Sequence, residues 1–168
     1  MKPLVSIIMG STSDLPVMEK ACKWLDDNEI PFEVNALSAH RTPDAVEAFA
    51  KGAQERGIKV IIAAAGMAAA LPGVIAASTN LPVIGVPIKG MLDGLDAMLS
   101  IIQMPPGIPT ATVGVNAAQN AAILAAQIIG LSDSAVAAKV AAHKAGLGAK
   151  IEKANKDLAE VKYNFKTN

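Results

Sequence analysis

The sequence predicts an α/β fold in which helices cover both faces of a central parallel sheet. Five short apolar runs have the character of buried strands, and the segments between them carry apolar residues at helical spacing. Strands that alternate with helices along a chain form parallel sheets, because each helix returns the chain across a face of the sheet. A chain of 168 residues can build one such core without disulfides or metals. We therefore expect a single domain spanning residues 1–168.

The first elements follow in the order strand, helix, strand, helix. A helix from about Asp14 to Asn28 and a second from about Pro43 to Arg56 carry apolar residues at core spacing, and Gly57 marks the end of the second helix. Helical patterns also fill most of the later gaps. The five predicted strands are Leu4–Met9, Phe32–Leu37, Val60–Ala64, Val83–Val86 and Thr112–Val115.

Two long stretches contain no charged residue. From Val60 to Ile88, glycines and prolines interrupt the apolar sequence well before the ~20 residues that a membrane-spanning helix needs, so we expect buried strand, loop, helix and strand and no membrane span. The second stretch includes a helix over 117–129 that is apolar nearly all round, which is typical of burial on more than one side. Since a small domain rarely encloses a helix so completely, we predict that another subunit covers it in a homo-oligomer with a large interface.

A long helix begins after Ser132. Its apolar residues form a narrow stripe with lysines on the other face, so we expect it to pack on the body of the protein or on a neighbouring subunit. His143 on this helix is interpreted as a surface or packing histidine. The stripe consists of Val136, Val140, Leu147, Ile151, Ala154 and Leu158.

Composition argues against several classes of partner. The 15 Lys and Arg residues balance the 15 Asp and Glu residues, and aromatic residues make up 3%, so nucleic-acid binding is not expected. The single cysteine, Cys22, can form no intrachain disulfide, and the N-terminal residues enter a strand pattern without a signal peptide. We expect a cytoplasmic protein.

The turn after the first predicted strand can bind a phosphate. Gly10 lets the backbone approach a ligand closely, and the hydroxyls of Ser11 and Ser13 stand beside the amides of a helix N-terminus. Asp14 either caps that helix or accepts hydrogen bonds from ribose hydroxyls. A plain capping sequence explains the same residues equally well.

The turn after the second strand contains residues that capping does not explain. Thr42 or Ser38 can cap the following helix, Pro43 suits its first position, and an aspartate at 44 suits the positive end of its dipole. No such role requires His40 or Arg41. Arginine binds phosphate bidentately, and histidine titrates near neutral pH, so this pair indicates a site.

The turn after the third strand, residues 65–73, consists of tiny side chains that expose backbone amides and carbonyls. Such a loop suits a flat, polar heterocycle, although tight packing of strand against helix also explains it. In an open parallel sheet, ligands bind outside the carboxyl ends of the strands. We therefore expect the three turns to form one crevice.

The residues of these turns resemble those of the class I PurE family of N5-carboxyaminoimidazole ribonucleotide mutases. The resemblance extends over nearly the whole chain. The resemblance implies a flavodoxin-like three-layer αβα sandwich, assembled as an octamer, with the active site at subunit contacts and the C-terminal helix from about 133 reaching a neighbour. It also implies a reaction without metal, biotin or nucleotide cofactor. It is carried by residues 9–14, 38–43, 65–66, 71–73, 85–87 and 103–109.

The resemblance assigns roles residue by residue. It implies that His40 is the proton shuttle that moves a carboxylate from the exocyclic nitrogen of the aminoimidazole to C4, and that Asp14 binds the ribose hydroxyls. One departure is Ala70, where many family members carry histidine. The implied phosphate ligands are Ser11, Ser13, Ser38 and Arg41, and the remaining substrate-binding positions are Gly10, Ala39, Ala65, Gly66, Ala68 and Leu71.

Other functions remain open at this point. A sister group uses free CO2 as an aminoimidazole ribonucleotide carboxylase, but it tends to carry lysine where this chain has Arg41. A non-catalytic flavodoxin-like module that binds a nucleotide would need the phosphate turn and would have no use for His40. A purely structural oligomer would not explain three polar turns at one sheet edge. For the mutase, functional coupling to the ATP-dependent synthetase that makes its substrate is a further expectation.

Overall fold

The computed structural model describes residues 2–168 and contains a five-stranded, fully parallel sheet. The strand order is β2-β1-β3-β4-β5, which is the flavodoxin-like order, so the predicted fold is confirmed. The order reverses between β1 and β3, and this switch point is where such sheets bind ligands. The strands are β1 (Val5–Met9), β2 (Phe32–Ala36), β3 (Val60–Gly66), β4 (Val83–Ile88) and β5 (Ala111–Thr112).

Helices cover both faces of the sheet, and each face has its own core. On one face, α1 and α6 pack against inward side chains such as Ile7, Ile62 and Ile84. On the other face, α2 to α5 pack around Ile8 and Ile61. The central strands are buried on both faces, which explains why their sequence is continuously apolar. The helices are α1 (Leu15–Asp27), α2 (Pro43–Lys51), α3 (Ala53–Arg56), α4 (Leu71–Ser78), α5 (Leu95–Ile102), α6 (Ala118–Gly130) and α7 (Ser134–Glu160).

Two predicted elements differ clearly from those in the structure, whereas the ends of the others agree to within two residues. The helix expected from Pro43 to Arg56 is divided at Gly52, and the short α3 ends at Gly57 in the left-handed conformation, as the glycine predicted. The strand expected at Thr112–Val115 is only Ala111–Thr112 and pairs with Ile84 and Gly85 at the sheet edge. Beyond it the chain turns away, and the Asn116 amide bonds to the Pro87 carbonyl at 2.8 Å.

Helix α6 is buried as predicted, but by its own chain. Its alanines at 118, 121, 122, 125 and 126 are fully buried, and α1, α7, β3 and β4 surround it. Its own chain therefore accounts for the burial of these alanines, while Ile123, Leu124 and Ile128 remain only partly buried, and the covering subunit stays a prediction. The long C-terminal helix supplies cover that the composition of α6 alone does not reveal.

Helix α7 packs on the body only through its first half. Val136 is buried, and the Trp24 indole donates a hydrogen bond of 3.2 Å to His143 Nδ1, so the interpretation of His143 as a packing residue is confirmed. Every residue from 144 to 160 is exposed. The distal half of the apolar stripe thus touches little of its own chain. Within residues 2–168, no helix is both long and apolar enough to cross a membrane.

A hydrogen-bonded group anchors β2, whose carboxyl end carries the second turn. The fully buried Ser6 hydroxyl donates to Glu33 Oε1 at 2.8 Å, and Arg56 from α3 pairs with the same oxygen at 3.1 Å. The Arg56 guanidinium also lies 4.7 Å from the centre of the Phe49 ring. Because these residues come from β1, β2, α2 and α3, the group fixes the edge strand against its neighbours.

Candidate functional site

A cleft of about 650 Å³ opens at the carboxyl ends of β1, β2, β3 and β4. It joins the three turns that the sequence singled out, at the switch point of the sheet. A second depression of about 630 Å³, lined by residues 76–82 and 107–109, contains no titratable side chain. The predicted site residues that line the first cleft are Gly10, Ser11, Ser13, Asp14, Ser38, Ala39, His40, Arg41, Ala65, Gly66, Ala68 and Leu71, which is all of them.

The first turn is held by its own serine. The Ser13 amide donates to Ser11 Oγ at 3.3 Å, so Ser11 caps the short 3-10 turn over residues 12–14. Asp14 precedes α1 but makes no capping bond with its side chain. Burial raises the pKa of the Asp14 carboxyl above its ordinary value, and a hydrogen bond from Ser13 partly opposes this rise. A desolvated carboxylate of this kind gains from new hydrogen-bond donors.

Neither the backbone conformation nor the packing around position 10 requires a glycine there. Its φ angle is not left-handed, and a methyl group built on it would meet no atom within 4 Å. Many glycines are required by a turn or by a close neighbour in the fold. The open space beside Gly10 is instead the cleft itself, so the absent side chain leaves room for a ligand.

Arg41 ties the second turn to the first. Its Nη2 donates to the Gly10 carbonyl at 2.8 Å, and both its amide and Nε donate to Ser38 Oγ. These bonds use only two of the five donors of the guanidinium, so the others stay available for an anion in the cleft. His40, the neighbouring residue, has an exposed side chain at the mouth of the same cleft.

Thr42 is the N-cap residue of α2, but neither its side chain nor that of Ser38 makes the expected capping bond. Thr42 occupies the position before α2, but its hydroxyl accepts from the Ser38 amide at 3.0 Å and donates to the Ser38 carbonyl at 3.1 Å. Ser38 Oγ accepts from Arg41. Pro43 does begin α2, and Asp44 lies in its first turn. The hydroxyls therefore close the turn that presents His40 and Arg41.

The third turn is compact and rich in backbone groups. Met67 has a left-handed φ of 53°, and the Ala69 and Ala70 amides donate to carbonyls only two residues earlier. A methyl group on Gly66 would lie 3.4 Å from the Ile88 carbonyl oxygen, so this glycine packs closely against β4. Helix α4 begins at Leu71, and the positive end of its dipole lies at the cleft.

Sequence reasoning missed the wall that β4 contributes. Ile88, Lys89 and Gly90 line the cleft, as do Met67, Ala69 and Ala70 from the third turn. The rule that sites form at the carboxyl ends of parallel strands could have found Lys89, since it lies only three residues beyond the predicted strand Val83–Val86. Its Nζ lies 2.9 Å from the Asp93 carboxylate, and this ammonium lowers the pKa of Asp93.

Metal binding finds no support in the side chains. Within residues 2–168, no three histidine, cysteine, aspartate or glutamate residues lie close enough to bind one ion. The groups gathered at the cleft are hydroxyls, backbone amides, one imidazole, one guanidinium, one carboxyl and one ammonium. The fold and this cleft define a doubly wound α/β protein whose open site suits a small anionic ligand.

Comparison with known proteins identifies the family. Residues 4–150 match the family model described as AIR carboxylase, and the chain belongs to this family. It is 53% identical over 161 residues to the N5-carboxyaminoimidazole ribonucleotide mutase of Pyrococcus horikoshii, covering 95% of this chain and 91% of that one. It is 51% identical over 162 residues to the mutase of Thermotoga maritima, covering 96% and 95%.

Solved structures agree with the fold. The crystal structure of Treponema denticola PurE superposes with a TM-score of 0.82 at 32% identity, covering 93% of this chain and 98% of that one. A variant of Treponema denticola PurE2 superposes with a TM-score of 0.85 at the same identity, covering 94% and 99%. The superpositions cover more than nine-tenths of this chain, so the three-layer arrangement is that of this family.

Proposed function

We propose that this chain is a mutase of purine biosynthesis that converts N5-carboxyaminoimidazole ribonucleotide to 4-carboxyaminoimidazole ribonucleotide. One observation carries the proposal: the turns after β1, β2 and β3 bring His40, Arg41 and Asp14 to a single cleft. Relatives with this activity in their names align over nearly the whole chain. Helix capping and strand packing explain much of the first and third turns, but they do not explain His40 and Arg41 beside the acidic Asp14 in this cleft.

In this proposal the ribose phosphate binds between the first two turns. Ser11, Ser13 and Ser38 offer hydroxyls, and Arg41 offers the guanidinium donors that Gly10 and Ser38 leave unused. Asp14 accepts hydrogen bonds from the ribose hydroxyls, which would compensate its carboxylate for the burial that raises its pKa.

The base lies against the third turn, and smaller residues complete the site. Gly10 leaves space for the phosphate, and Ala39 adds to the wall beside it. Ala65, Gly66 and Ala68 present backbone groups to the imidazole, and Leu71 begins the helix behind it. Small side chains let a flat ring approach the backbone closely.

His40 carries the proton in both directions. The imidazolium protonates the carbamate nitrogen, the N–C bond breaks, and CO2 and the neutral aminoimidazole remain together. The C4 carbon then attacks CO2 to form the new C–C bond, and the C4 proton passes to the His40 imidazole. His40 donates a proton in the first step and accepts one in the second, so one group serves both steps. Confinement of CO2 beside C4 supplies effective concentration and orientation.

We further propose that the whole chain is one catalytic domain that works as a homo-octamer in the cytoplasm. His40 and Arg41 are exposed in the single chain, so a neighbouring subunit that closes the cleft would help to retain CO2. The distal half of α7, residues 144–160, is free to reach that neighbour. Functional coupling to the ATP-dependent synthetase that makes the substrate follows from the same activity.

A second candidate is the carboxylation of aminoimidazole ribonucleotide by free CO2. A relative named phosphoribosylaminoimidazole carboxylase, from Saccharomyces cerevisiae, is 59% identical over 140 residues. The match covers 83% of this chain but only 24% of that protein, so its name describes a much longer chain. Initial rates distinguish the two activities. The mutase turns over the N5-carboxylated substrate without bicarbonate, whereas a preference for aminoimidazole ribonucleotide with bicarbonate would select the carboxylase.

The substitution His40→Asn tests the proton shuttle. We expect a fall in kcat of about 10²–10⁴-fold, the usual contribution of a positioned acid and base. The affinity for the product, measured by calorimetry, should change little because the phosphate ligands remain. The matched control is His143→Asn, which changes the chain's other histidine, a residue that does not line the cleft. Near-normal turnover by the His40 variant would exclude the mechanism.

A further inference from the structure

Lys89 lies at the opposite end of the cleft from Arg41. Both residues line the cleft, but Arg41 follows β2 and Lys89 follows β4, and β1 and β3 lie between these strands. Lys89 directly follows Ile88, whose partner in the sheet is Gly66 at the start of the third turn. The two cationic side chains of the cleft therefore stand on either side of the loop proposed to hold the base.

The backbone of Lys89 is fixed from a neighbouring turn. Its amide donates to Asn116 Oδ1 at 2.9 Å, and the Asn116 amide donates to the Pro87 carbonyl at 2.8 Å. Asn116 itself has a left-handed φ of 57°. These two bonds fix the backbone at Lys89. The side-chain ammonium can therefore reach only the region near the β4 end of the cleft.

The present partner of the ammonium is easily exchanged. Lys89 Nζ pairs with Asp93 at 2.9 Å, but the two side chains are 58% and 87% exposed. Exposed ion pairs are weak because water screens both charges. Asp93 lies in a loop in which Leu92, Asp93 and Gly94 all have left-handed φ angles. An anion in the cleft can therefore replace Asp93 with little loss.

We propose that Lys89 binds the carboxylate of the substrate and product, an inference that rests on the proposed function. The nucleotide carries two anionic groups, the phosphate and the carboxylate, at opposite ends of its structure. Arg41 with the serines receives the phosphate at one end, and Lys89 receives the carboxylate at the other. Ala70 contributes no polar side chain there, and the positive end of α4 adds to the field of the ammonium.

This role predicts a particular kinetic signature. The carboxylate is charged in the substrate and in the product, but it becomes neutral CO2 between them. An ammonium that binds the charged forms lowers their free energy and gives the departing CO2 no comparable help. Loss of Lys89 should therefore raise KM and leave kcat unchanged or slightly higher.

The test compares binding of two nucleotides that differ only in the carboxylate. Affinities of the full-length protein for 4-carboxyaminoimidazole ribonucleotide and for aminoimidazole ribonucleotide are measured by calorimetry. We expect Lys89→Gln to weaken the first about tenfold, the order of one charged hydrogen bond, and to leave the second within about twofold. Lys89→Arg should retain most of the affinity. The matched control is Lys23→Gln, which breaks a similar exposed pair with Asp27 at 2.9 Å on α1.

Each result is decisive. If Lys89→Gln loses affinity equally for both nucleotides, or for neither, Lys89 is not the carboxylate ligand. This outcome does not affect the proposed mutase activity of the unaltered chain. A fall in kcat without a rise in KM rejects this role of Lys89 as well. If the unaltered chain binds neither nucleotide and turns over no carboxylated substrate, the proposed function fails, and the role of Lys89 fails with it.

Discussion

At the scale of single residues, Asp14 is an acidic group whose surroundings act against its own charge. Burial disfavours the carboxylate, and the hydrogen bond from Ser13 only partly compensates. The pKa of Asp14 is therefore higher in the folded chain than in the unfolded chain. Such a group lowers the stability of the protein without ligand. Groups of this kind are typical of functional sites, where they bind the ligand.

The pH dependence of stability checks this account. As pH rises from the unfolded-state pKa through the raised folded-state pKa, the folded chain holds more protons, so the free energy of unfolding falls. Asp14→Asn removes this loss and should stabilise the empty protein by less than about 1 kcal/mol at pH 7, since the half-buried group is partly screened. The gain should vanish towards pH 3. Urea unfolding of both proteins across this range measures it.

The control and the opposing result are equally specific. Asp44→Asn removes an exposed acid from the first turn of α2, where the helix dipole favours negative charge, so it should be neutral or slightly destabilising at pH 7. Asp14→Asn should also weaken ribonucleotide binding. A variant that is less stable than the unaltered chain at pH 7 would contradict the burial argument.

Single residues also show the limits of sequence reasoning. His40 and Arg41 could be singled out because helix capping requires neither residue. The sequence predicts that Thr42 or Ser38 caps the helix, yet both hydroxyls bond within their own turn, since short polar side chains compete for nearby backbone groups. Lys89 carried no distinguishing local pattern. Its place at the cleft depends on the sheet order, which sets β4 beside β3.

At the scale of elements, the contact between α5 and β4 depends on a glycine. A methyl group on Gly85 would lie 2.4 Å from Ile101 Cγ2, and Ile101 is fully buried with a stiff, branched side chain. Gly10 is the opposite case, because a methyl group built at this position would have no atom within 4 Å. Packing therefore explains Gly85, whereas space for a ligand explains Gly10.

The pair of substitutions Gly85→Ala and Gly10→Ala tests this separation. We expect Gly85→Ala to destabilise the fold by about 1–3 kcal/mol through overpacking. Gly10→Ala should leave stability unchanged or raise it by up to about 1 kcal/mol, because alanine restricts the unfolded chain. Gly10→Ala should instead weaken ribonucleotide binding about tenfold. Thermal unfolding and calorimetry measure the two effects, and full affinity in Gly10→Ala would place the ligand elsewhere.

Elements were predictable where their cause is local. The buried central strands and the end of α3 at Gly57 follow from apolar runs and from a glycine in the left-handed conformation. The short β5 does not, because only its pairing with Ile84 and Gly85 decides its length. The cover over α6 likewise comes from α7, which lies beyond it in the chain. Composition shows that a helix is buried but not what buries it.

At the scale of the whole molecule, the distal half of α7 is the part that a single chain leaves unexplained. Leu147, Ile151 and Leu158 are exposed along one stripe, and Tyr163 and Phe165 follow, the latter 95% exposed. Long amphipathic helices gain most of their stability from packing an apolar face. The proposed octamer supplies a partner for this face, and it would at the same time close the open cleft.

Charge introduced into the stripe tests the assembly. We predict that the unaltered chain has a mass in solution about eight times its 17.2 kDa, measured by light scattering after gel filtration. The double substitution Ile151→Asp and Leu158→Asp should lower this mass and reduce turnover, because burying a charge in an apolar contact is costly. Its secondary structure should remain, since these side chains are exposed in the single chain.

Lys156→Asp is the matched control, because it places the same acid on the opposite side of α7. It should keep both the mass and the turnover of the unaltered chain. A double variant that keeps its mass would show that the stripe is not the contact between subunits. A double variant that loses mass yet retains full turnover would show that the cleft needs no neighbour, and that the exposed His40 and Arg41 work within a single chain.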